Sequence, residues 1–208
     1  MTALANRRSI MTLYADATDP VGHAVRLVLA EKDINVEIQF VNHETKPEDL
    51  NDLNPYHEIL TLIDRDLVLY DPQIMLEYLD ERYPHPPLMP VDPVSRANNR
   101  QLRYRVTRDL YAAVDDIVGD DAAAASNARR VIRDNLMAIA PIFSRHTYFL
   151  TEEYSLVECC FAPLLWRLDH YGIKLTPQAK PLMRYADQLF AREAFRTCLS
   201  PFEKTLHR

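Results

Sequence analysis

The sequence predicts a small α/β domain with a mixed four-stranded sheet, joined through a proline-rich connector to an all-helical domain. Three observations carry that expectation. Apolar spacing over residues 9–83 switches between strand and helix periods in the order β-α-β-α-β-β-α. The stretch "YPHPPLMPVDP", Tyr83 to Pro93, holds five prolines in eleven residues. Proline fixes φ and offers no backbone N–H, so neither a helix nor a central strand runs through such a stretch. Beyond Pro93 the apolar patterns have helical period throughout. The expected boundaries are 9–83 for the α/β domain, 84–94 for the connector and 95–205 for the helical domain.

Each element has its own signal. "SIMTLYAD", Ser9 to Asp16, places Met11 and Leu13 on one side of a short strand. Asp19 before Pro20 is an N-cap followed by proline at N1, and Val21, Val25, Val28 and Leu29 share one face of the helix that follows. "NVEIQFVNH" alternates Val36, Ile38 and Phe40 as a strand does. "KPEDLNDLNP" is a short polar helix stopped by Pro55. "ILTLIDRDLVLYD" gives two apolar runs about Asp64-Arg65-Asp66, the chemistry of a hairpin turn. "DPQIMLEYLDERYP" returns to helical spacing, with Ile74, Met75, Tyr78 and Leu79 on one face. A βαβ unit that feeds a hairpin and a closing helix implies a mixed sheet.

In the second half, Leu102, Val106, Leu110, Ala113 and Ile117 form one expected stripe, and Ile132, Leu136, Ile139 and Phe143 another. "YSLVECCFAPLLWRLDHYG" opens on a capping box, Ser155 with Glu158 three residues on. Pro163 should bend that helix and Gly172 should end it. A last helix is expected through "KPLMRYADQLFAREAFRTCL".

Composition removes several function classes. The net charge of −6 over 208 residues argues against a dedicated DNA-binding protein. No apolar run approaches the roughly 20 residues of a membrane span, and Arg7 and Arg8 precede a run too short and polar for a signal sequence. Three cysteines, Cys159, Cys160 and Cys198, without a C-x-x-C suit a reducing, cytoplasmic setting and neither a disulfide framework nor zinc. Gly22, Gly119 and Gly172 are the only glycines, so there is no dinucleotide fingerprint, phosphate-cradling loop or nucleophile elbow. His23, His43, His57, His146 and His170 lack metal-ligand spacing, and no metal is expected.

Two surfaces stand out. Pro84 and Pro86 pin the backbone of His85, so presenting its ring costs little ordering entropy, which favours a recognition surface beside the connector role. Leu88 and Met89, expected as exposed apolar neighbours, offer an alternative role, docking the connector on the helical domain. Arg96, Arg100 and Arg103 fall at i, i+4 and i+7 as one basic stripe. A solvated face with local ion pairs is the favoured reading; the alternative is an anion site for a nucleotide alarmone or an acidic partner segment.

"VRLVLAEK" in the first helix, "LDERYP", "SLVECCFAPLLWRL" and "FAREAF" together resemble the glutathione transferase fold, a thioredoxin-like domain followed by a helical one. Within that superfamily, "LIDRDL", "MLEYLDERYPHPPLMPVDPVSRA" and "YSLVECCFAPLLWRL" resemble the stringent starvation protein A family of Gram-negative bacteria. The resemblance implies a homodimer that binds RNA polymerase holoenzyme, including its sigma factor, during starvation and stationary phase. Sequence-specific contact with DNA is not implied. It also implies that Pro84-His85-Pro86, flanked by Tyr83 and Pro87, is the partner-binding surface.

The same resemblance locates the positions where a transferase would hold glutathione. Asp19 stands where the thiolate-stabilising donor is expected, with Tyr14 as an alternative donor whose favoured role is packing. Leu60 replaces the cis-proline of x-P-T-L, and a trans peptide is expected there because a cis bond before leucine costs about 3–4 kcal/mol. Asp71-Pro72 replaces an acid-serine pair. The expectation is a regulator with no catalytic residues and no cofactor; the alternative is a glutathione-dependent transferase or thiol reductase.

Overall fold

A computed structural model describes residues 10–207, so the expected start at Ser9, with Arg7 and Arg8 before it, lies outside the described residues. The first strand, β1 (Met11–Ala15), is buried at every position, as a central strand covered on both faces must be. Helix α1 (Pro20–Glu31) leads to β2 (Val36–Phe40), which pairs parallel with β1 from Met11↔Val36 to Ala15↔Phe40. After the short α2 (Asp49–Leu53), β3 (Thr61–Asp64) runs antiparallel to β1, and β4 (Leu67–Leu69) antiparallel to β3. The order β2-β1-β3-β4 is the expected mixed sheet. Arg65, at φ +57°, supplies the left-handed residue of the tight β3–β4 turn.

Helix α3 (Pro72–Arg82) closes the unit. Both α1 and α3 begin with Asp-Pro: Asp19 accepts from the amides of Val21 and Gly22, and Asp71 from that of Ile74. The buried face of α3 is Met75, Leu76 and Leu79, whereas Ile74 is 57% exposed. The expected face is therefore rotated by about one residue, because neighbouring apolar positions on both sides of Met75 leave the periodicity ambiguous.

The chain divides between Pro86 and Pro87, and Thr197 onward clusters with the first unit. The sequence places residues 197–205 in the helical domain, 95–205. A buried ion pair explains their place in the first unit. Glu203 and Arg26 are 0% and 1% exposed. Glu203 Oε1 accepts from Arg26 Nη2 at 2.6 Å and lies 3.2 Å from His23 Nδ1. Its Oε2 accepts from the Ser200 amide at 2.7 Å, and Ser200 Oγ accepts from the Glu203 amide and donates to Ala17 O. The last turn thus carries a reciprocal Ser-Glu cap with one carboxylate oxygen left for α1.

The second unit is helical. Helix α4 (Pro93–Arg105), again started by an Asp-Pro cap at Asp92, runs into a wide π-helical segment, Val106–Tyr111, and then α5 (Ala112–Val118). That segment shifts the expected stripe. Val106, Leu110 and Ile117 are buried, but Val114 is buried where Ala113 was expected, since a wide turn adds a residue to the repeat. Helix α6 (Ala122–Ile139) tightens into a 3₁₀ turn, Ala140–Ser144, that buries Phe143. Helix α7 (Leu156–Trp166) has the expected capping box. It ends at Trp166, not at Gly172; Gly172, at φ +70°, closes the turns that follow. The expected final helix is two pieces, α8 (Lys180–Phe190) and α9 (Glu193–Thr197).

Leu88 and Met89 are buried rather than exposed, at 3% and 7%. The Leu156 amide, an orphan donor at the start of α7, bonds the Leu88 carbonyl at 2.9 Å. Both residues therefore belong to the helical core. Among the described residues no helix is long and apolar enough to cross a membrane.

Replacing Glu203 with alanine strands the Arg26 guanidinium in the interior. Loss of one partner from a buried pair costs about 3–5 kcal/mol, so Glu203→Ala should lower the unfolding free energy in urea by that amount. A change within error would remove the pair as the anchor of the C-terminal turn.

Candidate functional site

The exposed turn after α3 is shaped by what proline withholds. Tyr83 caps α3, its amide bonded to Leu79 O, and Pro84 ends the helix. Pro84, Pro86 and Pro87 have no N–H, so the turn cannot be stapled by its own backbone. Lys32, directly after α1, supplies the donors. Its side chain is 0% exposed, and its ammonium donates to Asp80 Oδ1 at 2.5 Å, Tyr83 O at 2.7 Å and Pro86 O at 2.5 Å. An ammonium has three protons, and here each has an oxygen. A buried charge tolerates such a site only when paired and bonded in this way.

The consequence is an outward-facing Pro84-His85-Pro86 whose two flanking carbonyls are tied down from inside. Pro84, His85, Pro86 and Pro87 are exposed and Tyr83 is half-buried; the His85–Pro86 peptide is cis. The Arg82 guanidinium lies 5.4 Å from the Tyr83 ring centroid and its Nε 3.9 Å from Asp64 Oδ2. Tyr78 donates to the same Asp64 oxygen at 2.6 Å, and burial, reinforced by that carboxylate, raises the Tyr78 pKa above its ordinary 10.0.

The residues at the positions where the resemblance would place a glutathione site make the following contacts. Both carboxylate oxygens of Asp19 are turned onto the start of α1, at 2.9 Å from the Val21 amide and 2.8 Å from that of Gly22. Gly22 leaves room for this cap: a Cβ would crowd it, at 3.2 Å from Asp19 Oδ2 and 3.3 Å from the Ala15 Cβ. Tyr14 is fully buried and packs with Leu50 and Ile63. Leu60 is buried and the peptide bond before it is trans. Pro72 occupies N1 of α3 behind the Asp71 cap.

Of the arginine stripe, Arg96 is half-buried, Arg100 exposed, and Arg103 2% exposed with Nε bonded to Asn99 Oδ1 at 3.0 Å. The three are not presented to solvent as one row. Cys159, Cys160 and Cys198 are buried, and burial pushes the Cys198 thiol up to about 12. A thiol is nucleophilic as its thiolate, so Cys198 is inert at neutral pH. Among the described residues no group of three His, Cys, Asp or Glu side chains is placed to hold a metal ion. Sequence reasoning missed Lys32 and Asp80 as site residues. Both lie inside the quoted stretches "VRLVLAEK" and "LDERYP", but their pairing spans 48 residues and has no local signature.

The fold and these positions define a glutathione transferase-like protein. Residues 20–82 match the family model described as "Glutathione S-transferase, N-terminal domain", and residues 94–193 that described as "Glutathione S-transferase, C-terminal domain". A solved glutathione transferase from Methylococcus capsulatus superposes with a TM-score of 0.83 at 20% identity, over 94% of this chain and 99% of that one, a likeness of fold. The stringent starvation protein A homolog of Pasteurella multocida is 46% identical over 94% of this chain and 92% of its own length. That of Coxiella burnetii is 44% identical over 96% of each. The chain belongs to the stringent starvation protein A family.

Lys32→Met keeps much of the side-chain volume and removes all three donors, leaving Asp80 buried without the ammonium. We expect a loss of about 3–5 kcal/mol in denaturant unfolding, with the His85 and Tyr83 ring resonances broadened by motion while those of Tyr14 stay sharp. Unchanged stability and sharp His85 signals would show that the turn holds itself.

Proposed function

We propose that this protein is a cytoplasmic, homodimeric transcription regulator that binds RNA polymerase holoenzyme under starvation, through Tyr83–Pro87 and without glutathione chemistry. The observation that carries the proposal is the exposed Pro84-His85-Pro86 turn with its two flanking carbonyls bound by buried Lys32. A rigid, pre-ordered surface loses little entropy on docking, and exposed rings with few ordering costs make good anchors. The starvation response in the names of the relatives supports the same reading.

Three features support the absence of glutathione chemistry. An ionised Asp19 accepts hydrogen bonds and donates none, and its charge would raise a neighbouring thiol's pKa. Leu60 on a trans peptide does not present the backbone as a cis-proline would. Pro72 brings neither a hydroxyl nor an N–H to an incoming carboxylate. The transferase fold then serves as a scaffold for a different site.

Two measurements test the halves of this proposal. Pro84, His85 and Pro86 changed together to alanine should leave a folded dimer of about twice 24.1 kDa, with a loss of roughly 0.4–1 kcal/mol per proline, and abolish retention of RNA polymerase from stationary-phase lysate. Equal retention by folded variant and wild type would reduce the turn to a connector. Separately, glutathione at millimolar concentration should leave the melting temperature unchanged. Saturation to 100 times a dissociation constant would otherwise stabilise the fold by about 2.7 kcal/mol, and a clear upward shift would favour the transferase or thiol reductase.

A further inference from the structure

Helix α6 and the Gly172–Lys174 turn of the second unit enclose an open groove of about 690 Å³, lined by Ser126, Asn127, Arg129, Arg130, Arg133 and Lys174 among others. On a chain of net charge −6 this concentrates four cations. Beside the lining, Asp134 Oδ1 accepts from Arg133 Nε at 3.1 Å and Nη2 at 3.0 Å, and Asp134 Oδ2 lies 3.8 Å from Arg130; Asp121, at the start of α6, is occupied in capping Ala123 and Ala124.

The cations are set in place before any ligand arrives. Arg129 is half-buried, and its Nε donates to the Tyr171 carbonyl at 2.7 Å, which leaves its two terminal nitrogens without a hydrogen bond among the described residues. Arg130 is held by Asn127 Oδ1 at 2.7 Å. Lys174 is exposed and has no ion pair among the described residues. We propose that this groove binds the phosphodiester backbone of nucleic acid without reading its sequence.

Three features select that ligand. Guanidinium groups match phosphate oxygens in paired geometry. Arg129 and Arg133 lie one helical turn apart, about 6 Å along α6, so a polyanion lying along the helix meets both at once. The lining contains no aromatic ring, so it lacks the stacking platform that holds bases. The site does not depend on the polymerase proposal and is read on the isolated protein.

The test is fluorescence anisotropy of labelled 20-nucleotide thymidine and adenine oligomers with the full chain, over a series of salt concentrations. Both oligomers should bind equally. The triple variant Arg130→Gln, Arg133→Gln, Lys174→Gln, altering two exposed positions and the half-buried Arg133 and checked for native circular dichroism, should bind at least tenfold more weakly. Its salt slope should be shallower by about 2, from about 0.7 per lost phosphate contact on single strands. Arg145→Gln with Arg184→Gln, on a different polar groove, should change nothing. No binding by the wild type at 50 mM salt, equal binding by the triple variant, or binding of inorganic triphosphate without any of the oligomers would each overturn the proposal.

Discussion

Lys32 and Arg26, at the end and in the body of the same helix, bind carboxylates from two separate segments further along the chain. Arg26 reaches Glu203, 177 residues on, and Lys32 reaches Asp80, 48 residues on, together with two carbonyls of the proline turn. Neither cation has access to water, so each is stable only while its oxygens stay in place. Helix α1 therefore fixes two segments that regular hydrogen bonding does not. One is the C-terminal turn; the other is a run of prolines that cannot fix itself. Without Lys32 the first unit would still hold its sheet, whose β1 is buried on both faces, but would lose its hold on Tyr83–Pro86.

That division of labour separates scaffold from surface. The mixed sheet and its covering helices are stabilised by apolar burial and by Asp-Pro caps that need only local sequence. The same Asp19 that starts α1 is the residue that the resemblance to a transferase would put beside a thiol. With both oxygens engaged by backbone amides it stabilises a helix end and offers no donor. The turn, for its part, gains rigidity from Lys32, whose three bonds are separate from these caps.

How much was legible in the sequence follows from the range of each interaction. The Asp19-Pro20 cap, the Asp64-Arg65-Asp66 hairpin and the Ser155–Glu158 box are set by residues within a few positions of one another, and each was readable. The π-helical segment at Val106–Tyr111 leaves composition unchanged while moving the buried face from Ala113 to Val114, so periodicity alone misplaced it. Arg103 shows a second limit. Spacing put it on a stripe with Arg96 and Arg100, but only packing decides which side of α4 faces inward, and Arg103 is inside against Asn99. The Lys32 and Arg26 pairs were invisible because nothing local distinguishes a buried lysine or arginine from a solvated one.

The central claim is that the Lys32-anchored turn is the surface a polymerase meets. Hydroxyl-radical footprinting tests it most directly, because prolines carry no amide for exchange methods but their side chains are oxidised when exposed. In the free protein His85 and its flanking prolines should be readily modified. In the polymerase-bound protein the account predicts strong protection of Tyr83, His85, Pro86 and Pro87, with exposed Tyr56 and Ile74 little changed. Full modification of His85 in the complex, with protection found only elsewhere, would contradict it.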